Sequence, residues 1–598
     1  MNQDELLARL KGIEWNDFEC KRAQRGVPED ALKTISAFAN TAGGWLVFGV
    51  SEVNKQLVVT GVDDPDKVQN DLLSMLRGGQ KLNRAITVEA QRFDIDGKHV
   101  FAFHVPELAR SEKPVYLKGD PRQSYLRRGA GDEQCSQTEL ERFLRDASLD
   151  RYDGVALVDI PVEQCFDEAT VRWYQTQFAR RHPEHAEITD PIEFLLNWNF
   201  VVEQAGRQLP TRAGVLLFGT ARYVRQILPR PVLDYQRIDV PFNEWSADQR
   251  WHDRYVFEEN IFQTWQGLVS RYMRIAEHPF SLDPATLRRN DDPPDYVAFR
   301  EAAINLLIHQ DYGDHGRKAS IKLFADRTVF WNPGDAFASD AELLDATEKE
   351  LRNPAIVKAF RRIGLSDQAG TGIRAIFRNW HELGRVPPQI NNDKAKKDFE
   401  LALINRPLVT PAMQRFRQTI GASLTPAQAD VLALALEQVD GRRISLTDIR
   451  GLGIATTHEA KQIADHLVRQ QLLDPVSDTL FQAREALRQR FVAEAGQGKG
   501  RAAAPGGILL TGEVTGEVTG EVTEEVRRLL VVIAGEMKRA DIQQALGLKH
   551  ENHFREAYLL PAIATGLLEM TVPDKPRSSK QRYRLTALGL AVQAGTGS

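Results

Sequence analysis

The spacing of apolar and polar residues predicts short helices and strands over positions 1–148. The stretch EDALKTISAFANT predicts a helix that ends at the turn residues AGG, and the apolar run WLVFGV at 45–50 is short enough for a buried strand. Two alternating runs flank Asp96-Gly97, a dipeptide that favours a β-hairpin turn. The tetrapeptide SQTE has the spacing of a capping box and begins the last helix. We therefore expect an α+β domain here.

The centre of the chain contains two segments, and only the second shows a regular alternation of helix and strand patterns. Residues 150–290 contain helical stretches and a strand-like apolar run, GVLLFG at 214–219, and we interpret them as a connecting α/β region. From 291 to 407, helix and strand patterns alternate. There VAFREAAINLLIHQ predicts a helix and IKLFADRTVFWNPG predicts a strand hairpin, so we expect a second α/β domain.

The C-terminal part of the chain predicts two helical modules joined by a linker. Residues 424–490 give a helix, a glycine turn, a second helix and a short wing, which is a helix-turn-helix pattern. Residues 496–526 repeat TGEV three times. A glycine at every fourth position costs about 1 kcal/mol in a helix, so we expect a flexible linker. Residues 527–598 predict a winged-helix domain, and the expected class of the whole chain is multidomain α+β.

Composition narrows the cellular setting. The 598 residues carry a net charge of -5, so nucleic-acid contacts would have to come from local basic patches. The three cysteines lie far apart, which argues against a disulfide framework and against a CxxC-type zinc site. The N-terminus has no apolar segment of the signal-peptide kind, and no apolar run is long enough to span a membrane. We expect a cytoplasmic protein without membrane contact.

Acidic residues near the N-terminus form a candidate metal site. Glu14 and Glu19 precede Lys21, and Glu52 lies at the end of a predicted strand, where its side chain can face a cleft. Three carboxylates that converge can hold Mg²⁺ or Mn²⁺ and activate water against a phosphodiester, while the lysine offsets phosphate charge. Spacing alone leaves the alternative that these acids form a solvated face.

The stretches EWNDFECK, FANTAGGWLVFGVSE and YLRRG resemble, in this order, the Schlafen AlbA-like domain. In nuclease members of that family, an E-x4-E-x-K motif and a later acid form the metal site for RNA cleavage. The resemblance therefore implies catalytic and metal-binding roles for Glu14, Glu19, Lys21 and Glu52, although the family usually has aspartate at the last position. Many bacterial proteins with this domain are described as DNA-binding regulators, so the resemblance also implies binding of DNA or RNA.

A basic cluster lies near the end of this domain. Arg122, Arg127 and Arg128 surround Tyr125, and basic residues beside an aromatic ring suit a track for phosphates. We therefore expect the three arginines to contact nucleic acid. A charged strand edge is the alternative.

The central helix carries a polar stripe. In FREAAINLLIHQDY, Glu301, Asn305 and His309 recur every four residues and would share one helix face. A solvated stripe is the alternative. Farther along the chain, Gly370 and Gly372 would let a backbone approach phosphates closely. The order of these motifs, more than either alone, indicates a nucleotide site.

The ordered set resembles a divergent GHKL-type ATPase fold of the RecG C-terminal-like kind, an α/β sandwich that binds ATP with magnesium. The resemblance implies that Glu301 orients the attacking water, that Asn305 binds the metal and that His309 belongs to the same cofactor-binding face. The chain has NPGD where the family has a D-x-G-x-G box. It has no GxxxxGK[ST] loop, so we exclude a P-loop helicase. The residues implied near adenine are Asn332 and Gly334, and those implied near the phosphates are Gly370, Thr371 and Gly372.

The C-terminal module is a second candidate for nucleic-acid binding. In a winged-helix domain, a basic wing can lie along the phosphates of DNA while the preceding helix enters the major groove. That helix would carry Asn552, His553 and Arg555 here. The module resembles winged-helix tails of bacterial regulators and of Fic-type proteins, for which a docking role is the alternative. The earlier helix THEAKQIADHLVRQ is not strongly basic, so packing or dimerisation stands beside DNA contact there. The basic residues of the predicted wing are Lys575, Arg577, Lys580, Arg582 and Arg584.

Together these features predict a nucleotide-responsive nucleic-acid-binding protein, and DNA-binding transcription regulation is the first hypothesis. The alternative is an ATP-gated, metal-dependent endoribonuclease that acts as a toxin or in antiviral defence against phages. A third hypothesis is a scaffold whose helical modules only mediate assembly. The expected cofactors are ATP and Mg²⁺ or Mn²⁺, and we expect a homo-oligomer.

Overall fold

The structure is a computed structural model of the chain, and it divides into two compact units, Met1–Gly500 and Arg501–Ser598. Among the described residues, no helix is both long enough and apolar enough to cross a bilayer. The residues that the structure describes are 1–11, 16–53, 56–77, 81–148, 151–185, 187–246, 250–275, 294–345, 347, 349–366, 372–420, 423–436, 443–499, 528–530, 532–533, 535, 537–546, 558–559, 562, 567–571 and 582–586.

The N-terminal domain contains helices and strands in the mixed order that the sequence predicts. Its helices are α1 (Gln3–Leu10), α2 (Ala31–Asn40), α3 (Pro65–Arg77) and α4 (Gln137–Ala147). Its strands are β1 (Phe18–Lys21), β2 (Gly44–Phe48), β3 (Val50–Val53), β4 (Gln56–Val59), β5 (Glu89–Ile95), β6 (Lys98–Val105), β7 (Tyr125–Arg128) and β8 (Gly131–Gln134).

Four of these strands form one sheet in the order β1-β2-β6-β5, with β1 parallel to β2 and the other pairs antiparallel. Side chains of β2 alternate between two cores, because successive strand residues point to opposite faces. Phe48 packs with α2 and α3, whereas Val47 packs with α1. The predicted hairpin is confirmed, since Asp96 and Gly97 take the positive φ angles, 52° and 73°, that a tight turn requires.

The central region supplies the largest sheet of the chain. Its helices are α5 (Val162–Cys165), α6 (Glu168–Arg181), α7 (Pro191–Asn197), α8 (Arg212–Phe218), α9 (Ala221–Ile227), α10 (Ile261–Tyr272), α11 (Pro294–His309), α12 (Asp340–Leu343), α13 (Pro354–Arg362) and α14 (Gly372–Glu382). Its strands are β9 (Val201–Gln204), β10 (Arg207–Pro210), β11 (Leu233–Arg237), β12 (Asp253–Phe257), β13 (Ser320–Leu323), β14 (Arg327–Pro333), β15 (Gln389–Asp393) and β16 (Asp398–Ile404).

Six of these strands lie in the order β12-β11-β13-β14-β16-β15. Only the pairing of β11 with β13 is parallel, and it joins the predicted connecting region to the predicted second domain. Strands on both sides of residue 290 therefore share one sheet, and the two predicted segments fold together. Helices α10, α11, α13 and α14 contribute to the core against this sheet.

The run GVLLFG at 214–219 is a helix, so its interpretation as a strand is wrong. Helix α8 begins after Thr211, whose hydroxyl accepts a hydrogen bond from the Gly214 backbone N–H. The residues from Ala213 to Phe218 are buried. A helix that is apolar on all sides has no helical periodicity in its sequence, so a short run cannot be distinguished from a buried strand.

Residues 411–499 form a module with the predicted order of helix, glycine turn, helix and hairpin. Helix α19 extends to Lys499, so residues 496–499 are helical rather than part of the predicted linker. The elements are α15 (Pro411–Ile420), α16 (Pro426–Leu436), β17 (Ile444–Ser445), α17 (Leu446–Arg450), α18 (Thr457–Arg469), β18 (Leu473–Pro475), β19 (Leu480–Ala483) and α19 (Glu485–Lys499).

The second unit is described only in part. It contains α20 (Arg539–Ala545) and an antiparallel pair of strands, β20 (Leu568–Met570) and β21 (Tyr583–Leu585). Buried apolar residues, Leu529 and Ile542 among them, form a small core. The mixture of helices and sheets along the chain confirms the expected multidomain α+β class.

Candidate functional site

A cavity of about 210 Å³ lies between α11, β14, β16 and the start of α14. Of the residues predicted to bind a nucleotide, Gly370 and Thr371 lie outside the described residues. The others all line this cavity: Glu301, Asn305, His309, Asn332, Gly334 and Gly372.

Helix α11 places three polar side chains on the cavity wall, because a spacing of four residues keeps them on one helix face. Glu301 lies beside Arg300, whose guanidinium is 3.3 Å from its Oε1. A β-carbon added to Gly372 would lie 3.3 Å from Nδ2 and 3.4 Å from Oδ1 of Asn305. The backbone at the start of α14 therefore closely approaches the Asn305 amide, which has no hydrogen-bond partner among the described residues.

His309 is neutral at physiological pH. Burial and, to a smaller extent, the positive charge of Arg352 lower the pKa of His309 to about 4. A neutral imidazole has one donor and one acceptor nitrogen, so it can contact a ligand without adding positive charge.

We expect this histidine to make the protein sensitive to acid. Its pKa is lower in the folded state than its ordinary value of 6.5, so the unfolded chain binds more protons between pH 4 and 6.5. Stability from this group is present above pH 6.5 and is lost as the pH falls, by an amount on the order of 2 kcal/mol. Denaturation between pH 7 and 4.5 should show a smaller loss for His309→Gln than for the wild type. The exposed His458→Gln is the control, and an equal loss in all three proteins would contradict the expectation.

The end of β14 needs a glycine. Gly334 has a φ of +98°, and a β-carbon there would lie 2.9 Å from Cβ of Asp311 and 3.0 Å from Nε of Arg352. The buried Asn332 donates hydrogen bonds to the carbonyls of Pro333 and Gly334, each at 3.2 Å. These contacts fix the backbone at the edge of the cavity.

Asp335 follows this glycine, and its carboxylate is surrounded by cationic side chains. Its carboxylate lies 3.4 Å from Lys397, 3.2 Å from Arg352 and 3.9 Å from Lys394. Burial raises the pKa of Asp335, but Lys397, Arg352 and Lys394 outweigh burial and hold it below its ordinary value. The side chain is therefore an ionised member of a buried network.

Sequence reasoning missed several residues that line the cavity. Arg352, Lys349 and Ser366 lie there, and the Ser366 hydroxyl is buried without a hydrogen-bond partner among the described residues. All three lie outside the helices and strands of the structure, where no periodic pattern marks them. Only the position of Ser366, a few residues before the predicted glycine loop, could have drawn attention to it.

The N-terminal acids are arranged differently from the predicted metal site. Glu19 is buried, with Oε1 2.7 Å from Lys21 and Oε2 2.8 Å from Arg127. Glu52 is exposed on β3, and Glu14 lies outside the described residues. Within the described part of the chain, no group of three or more His, Cys, Asp or Glu side chains could hold a metal ion. Both oxygens of Glu19 are occupied by cations of the protein, so the described residues do not fit a metal.

The predicted basic cluster is divided by burial. Arg127 is 1% exposed, and besides Glu19 its guanidinium binds Asp132 at 2.9 Å, so it stabilises the interior and is not available to a phosphate track. Arg128 pairs with Glu133 and Glu139. Arg122 is the exposed member.

The C-terminal candidates are described only in part. Arg582 is exposed, and Nε of Arg584 lies 2.6 Å from Glu569 across the strand pair. The remaining predicted residues lie outside the described ones: Asn552, His553, Arg555, Lys575, Arg577 and Lys580.

Four family models match separate parts of the chain. Residues 14–136 match "Schlafen, AlbA_2", and residues 316–403 match "Putative ATP-dependent DNA helicase recG C-terminal". Residues 524–586 match "Filamentation induced by cAMP protein Fic-like, C-terminal domain". Residues 141–234 match a domain of unknown function, DUF8451. The matches confirm the Schlafen AlbA-like and RecG C-terminal-like resemblances, and the chain has no P-loop of the helicase kind.

Three solved structures are similar to the chain at low TM-scores. The DIP2311 protein from Corynebacterium diphtheriae is 18% identical over 95% of this chain and 94% of that one, with a TM-score of 0.35. The N-terminal domain of a "Putative ATP-dependent DNA Helicase RecG-related Protein" from Nitrosomonas europaea is 30% identical over 23% of this chain and 95% of that one, at 0.18. A Fic family protein from Desulfovibrio desulfuricans is 16% identical over 55% and 95%, at 0.11.

Proposed function

We propose that this chain, which carries a Schlafen AlbA_2 domain and a domain of the RecG C-terminal type, is a nucleic-acid-binding protein controlled by ATP. One observation carries the proposal. One cavity is lined by all six of the described residues that the sequence predicts to bind a nucleotide. These residues come from three separate elements and a loop. Their convergence is not expected of a solvated polar stripe.

The cavity walls suit a purine nucleotide. Apolar side chains such as Leu306, Phe330 and Leu401 line the cavity beside the polar groups of α11. Asn305 would offer an amide oxygen to Mg²⁺, and Glu301 would orient a water molecule. The backbone at Gly372, next to Asn305, would face the phosphates at the N-terminus of α14, where helix N–H groups favour anions. Bound magnesium would neutralise phosphate charge.

Ion pairs connect the nucleotide cavity to α4, the helix that directly follows the residues matched as Schlafen AlbA_2. Arg142 lies 2.9 Å from Asp314, and Asp146 lies 2.7 Å from Arg352 of the cavity wall. Arg145 pairs with Asp311. A ligand that moved the wall at Arg352 would therefore act on α4, which provides a physical route from nucleotide binding to the nucleic-acid-binding domain.

Within this function, we propose DNA-binding transcription regulation through the C-terminal module. The proposal is supported by the basic residues that the sequence places in the predicted wing, in a chain with a net charge of -5. Each phosphate contact adds about 0.9 to the slope of log affinity against log salt concentration. The wing would supply several such contacts.

Replacement of Arg577, Lys580 and Arg582 by alanine in the full chain should therefore weaken binding to all DNA sequences about equally. The salt slope should fall by roughly 2–3. Fluorescence anisotropy with two unrelated duplexes at several salt concentrations would measure both effects. A matched triple variant of the exposed Arg207, Arg222 and Arg225 should behave like the wild type. Equal salt slopes in all three proteins would contradict DNA binding by this module and would favour a docking role for it.

The nuclease alternative gains no support from the described residues. Glu19 would have to leave Lys21 and Arg127 before it could bind a cation, and the loss of one partner from a buried ion-pair network is unfavourable. We therefore propose no catalytic step at this position.

A further inference from the structure

A second cavity, of about 270 Å³, lies between the Schlafen-type domain and the ATPase-type domain of the first unit. The first domain contributes Glu107, Arg110 and Lys113, and the second contributes Lys394 and Lys397. This cavity shares the wall segment around Asp335, Phe337 and Lys349 with the nucleotide cavity. Lys113, Lys394 and Lys397 do not line the nucleotide cavity.

Three lysines of this cavity are buried, and they share few carboxylates. Lys113, Lys394 and Lys397 are only 5%, 5% and 7% exposed. Lys113 and Lys394 both contact Glu107, at 2.7 and 3.1 Å. Lys397 lies 3.4 Å from Asp335, which it shares with Lys394 and Arg352.

The charges that line this cavity are balanced, but the carboxylates nearest the lysines are shared between cations. Glu107 is contacted by Lys113 and Lys394, and Asp335 by Lys394, Lys397 and Arg352. An ammonium group has three donors, and the described residues give Lys113 two acceptors and Lys397 one. These two buried lysines therefore have donors left for a ligand of negative charge.

The ionisation of Lys113 reflects its burial and its cationic neighbours. Burial and the nearby ammonium groups of Lys397 and Lys394 lower the pKa of Lys113 to about 8. Glu107 raises it, but not enough to compensate. The other contact of the ammonium is the Thr41 carbonyl, at 3.3 Å.

We propose that this interdomain cavity binds a phosphate-type oxyanion, held by Lys113 on one wall and by Lys394 and Lys397 on the other. A tetrahedral oxyanion has several acceptor oxygens, so it can accept charge-assisted hydrogen bonds from ammonium groups on both walls at once. The cavity has room for such an anion with water. Because the lysines come from two domains, the bound anion would hold the domains together.

The anion has two sources, inorganic phosphate or pyrophosphate in solution and the phosphate end of a nucleotide in the neighbouring cavity. Binding of a free anion does not rest on the proposed nucleotide site. Binding of the phosphate end of a nucleotide does rest on it. The two sources can be separated by competition, since a nucleotide that occupies the lysines excludes free pyrophosphate.

Titration calorimetry and thermal unfolding of the full chain with phosphate and pyrophosphate, against chloride at equal ionic strength, test the site. We expect saturable binding and a raised unfolding temperature in the wild type. Loss of a charge-assisted hydrogen bond should weaken binding at least about tenfold in Lys113→Met and in Lys397→Gln. The exposed Lys67→Met on α3 is the matched control. If Lys113→Met does not fold, Lys397→Gln alone decides.

Sulfate keeps the same charge between pH 7 and 9, so its binding tests the protonation of Lys113 directly. Its affinity should fall as the pH rises from 7 to 9, because Lys113 loses its proton near pH 8. The dependence should be absent in Lys113→Met.

Saturation with ATP distinguishes the two sources. If ATP blocks pyrophosphate, and ATP binds about tenfold more weakly to Lys113→Met, the lysines hold the phosphate end of the nucleotide. If pyrophosphate binds equally with and without ATP, the anion site is separate. The proposal is overturned if phosphate and pyrophosphate give no saturable effect, or the same effect in the wild type, Lys113→Met and Lys397→Gln.

Discussion

Replacement of Asn305 by alanine should weaken the binding of ATP with Mg²⁺ by roughly 100-fold, through loss of a metal ligand and of a polar contact at the phosphates. Asn305 lies in the middle of the polar face of α11, and its amide lies close to the backbone at the start of α14. Since the side chain is small and only partly buried, its removal should not unfold the domain. Titration calorimetry of the full chain measures the effect.

Two further variants sharpen this measurement. Glu301→Ala should bind ATP almost as the wild type does, and should slow any turnover, because a group that orients water acts on the chemical step. Asn391→Ala removes an exposed amide on β15 and should change neither property. Equal ATP affinity in Asn305→Ala and Asn391→Ala would show that the polar face of α11 does not hold the nucleotide.

Replacement of Arg352 by methionine should destabilise the first unit by roughly 3–5 kcal/mol, because Asp146 loses its ion-pair partner and the buried Asp335 loses one of its three. Nη1 of Arg352 lies 2.7 Å from Asp146, and Nη2 lies 3.2 Å from Asp335. The guanidinium also lies over the ring of Phe337, 4.5 Å from its centre. Methionine restores some of the packing but none of the charge.

Denaturant unfolding monitored by tryptophan fluorescence would measure the loss. Arg172→Met is the matched control, because Arg172 forms an exposed ion pair with Glu168 on α6 that should contribute at most about 1 kcal/mol. Asp146→Asn should lose part of the same stability, since it breaks one of the two ion pairs. If Arg352→Met is no less stable than Arg172→Met, the buried network does not stabilise the contact between the domains.

Local sequence patterns predicted the elements that form the candidate site. The four-residue spacing in α11 placed Glu301, Asn305 and His309 on one face, and the hairpin that ends in Asn332 and Gly334 was also foreseen. Such patterns depend on neighbours within a few residues, which the sequence displays directly.

Long-range pairings could not be predicted in this way. The pairing of β11 with β13 joins strands that are far apart in the chain, and no local signal announces it. Arg127 looked like a surface cation because its partner Glu19 is distant in sequence. Helix α8 was mistaken for a strand, since burial on all sides removes the periodic pattern.

The central claim is that nucleotide binding controls nucleic-acid binding, and anisotropy with the full chain tests it directly. Labelled duplex DNA and single-stranded RNA would be titrated with and without a non-hydrolysable ATP analogue and Mg²⁺, for the wild type and for Asn305→Ala. The nucleotide should change the affinity of the wild type for at least one of the two nucleic acids by about fivefold or more, and should leave the variant unchanged. The account would be contradicted if calorimetry shows that the nucleotide is bound and the affinities for both nucleic acids are the same with and without it.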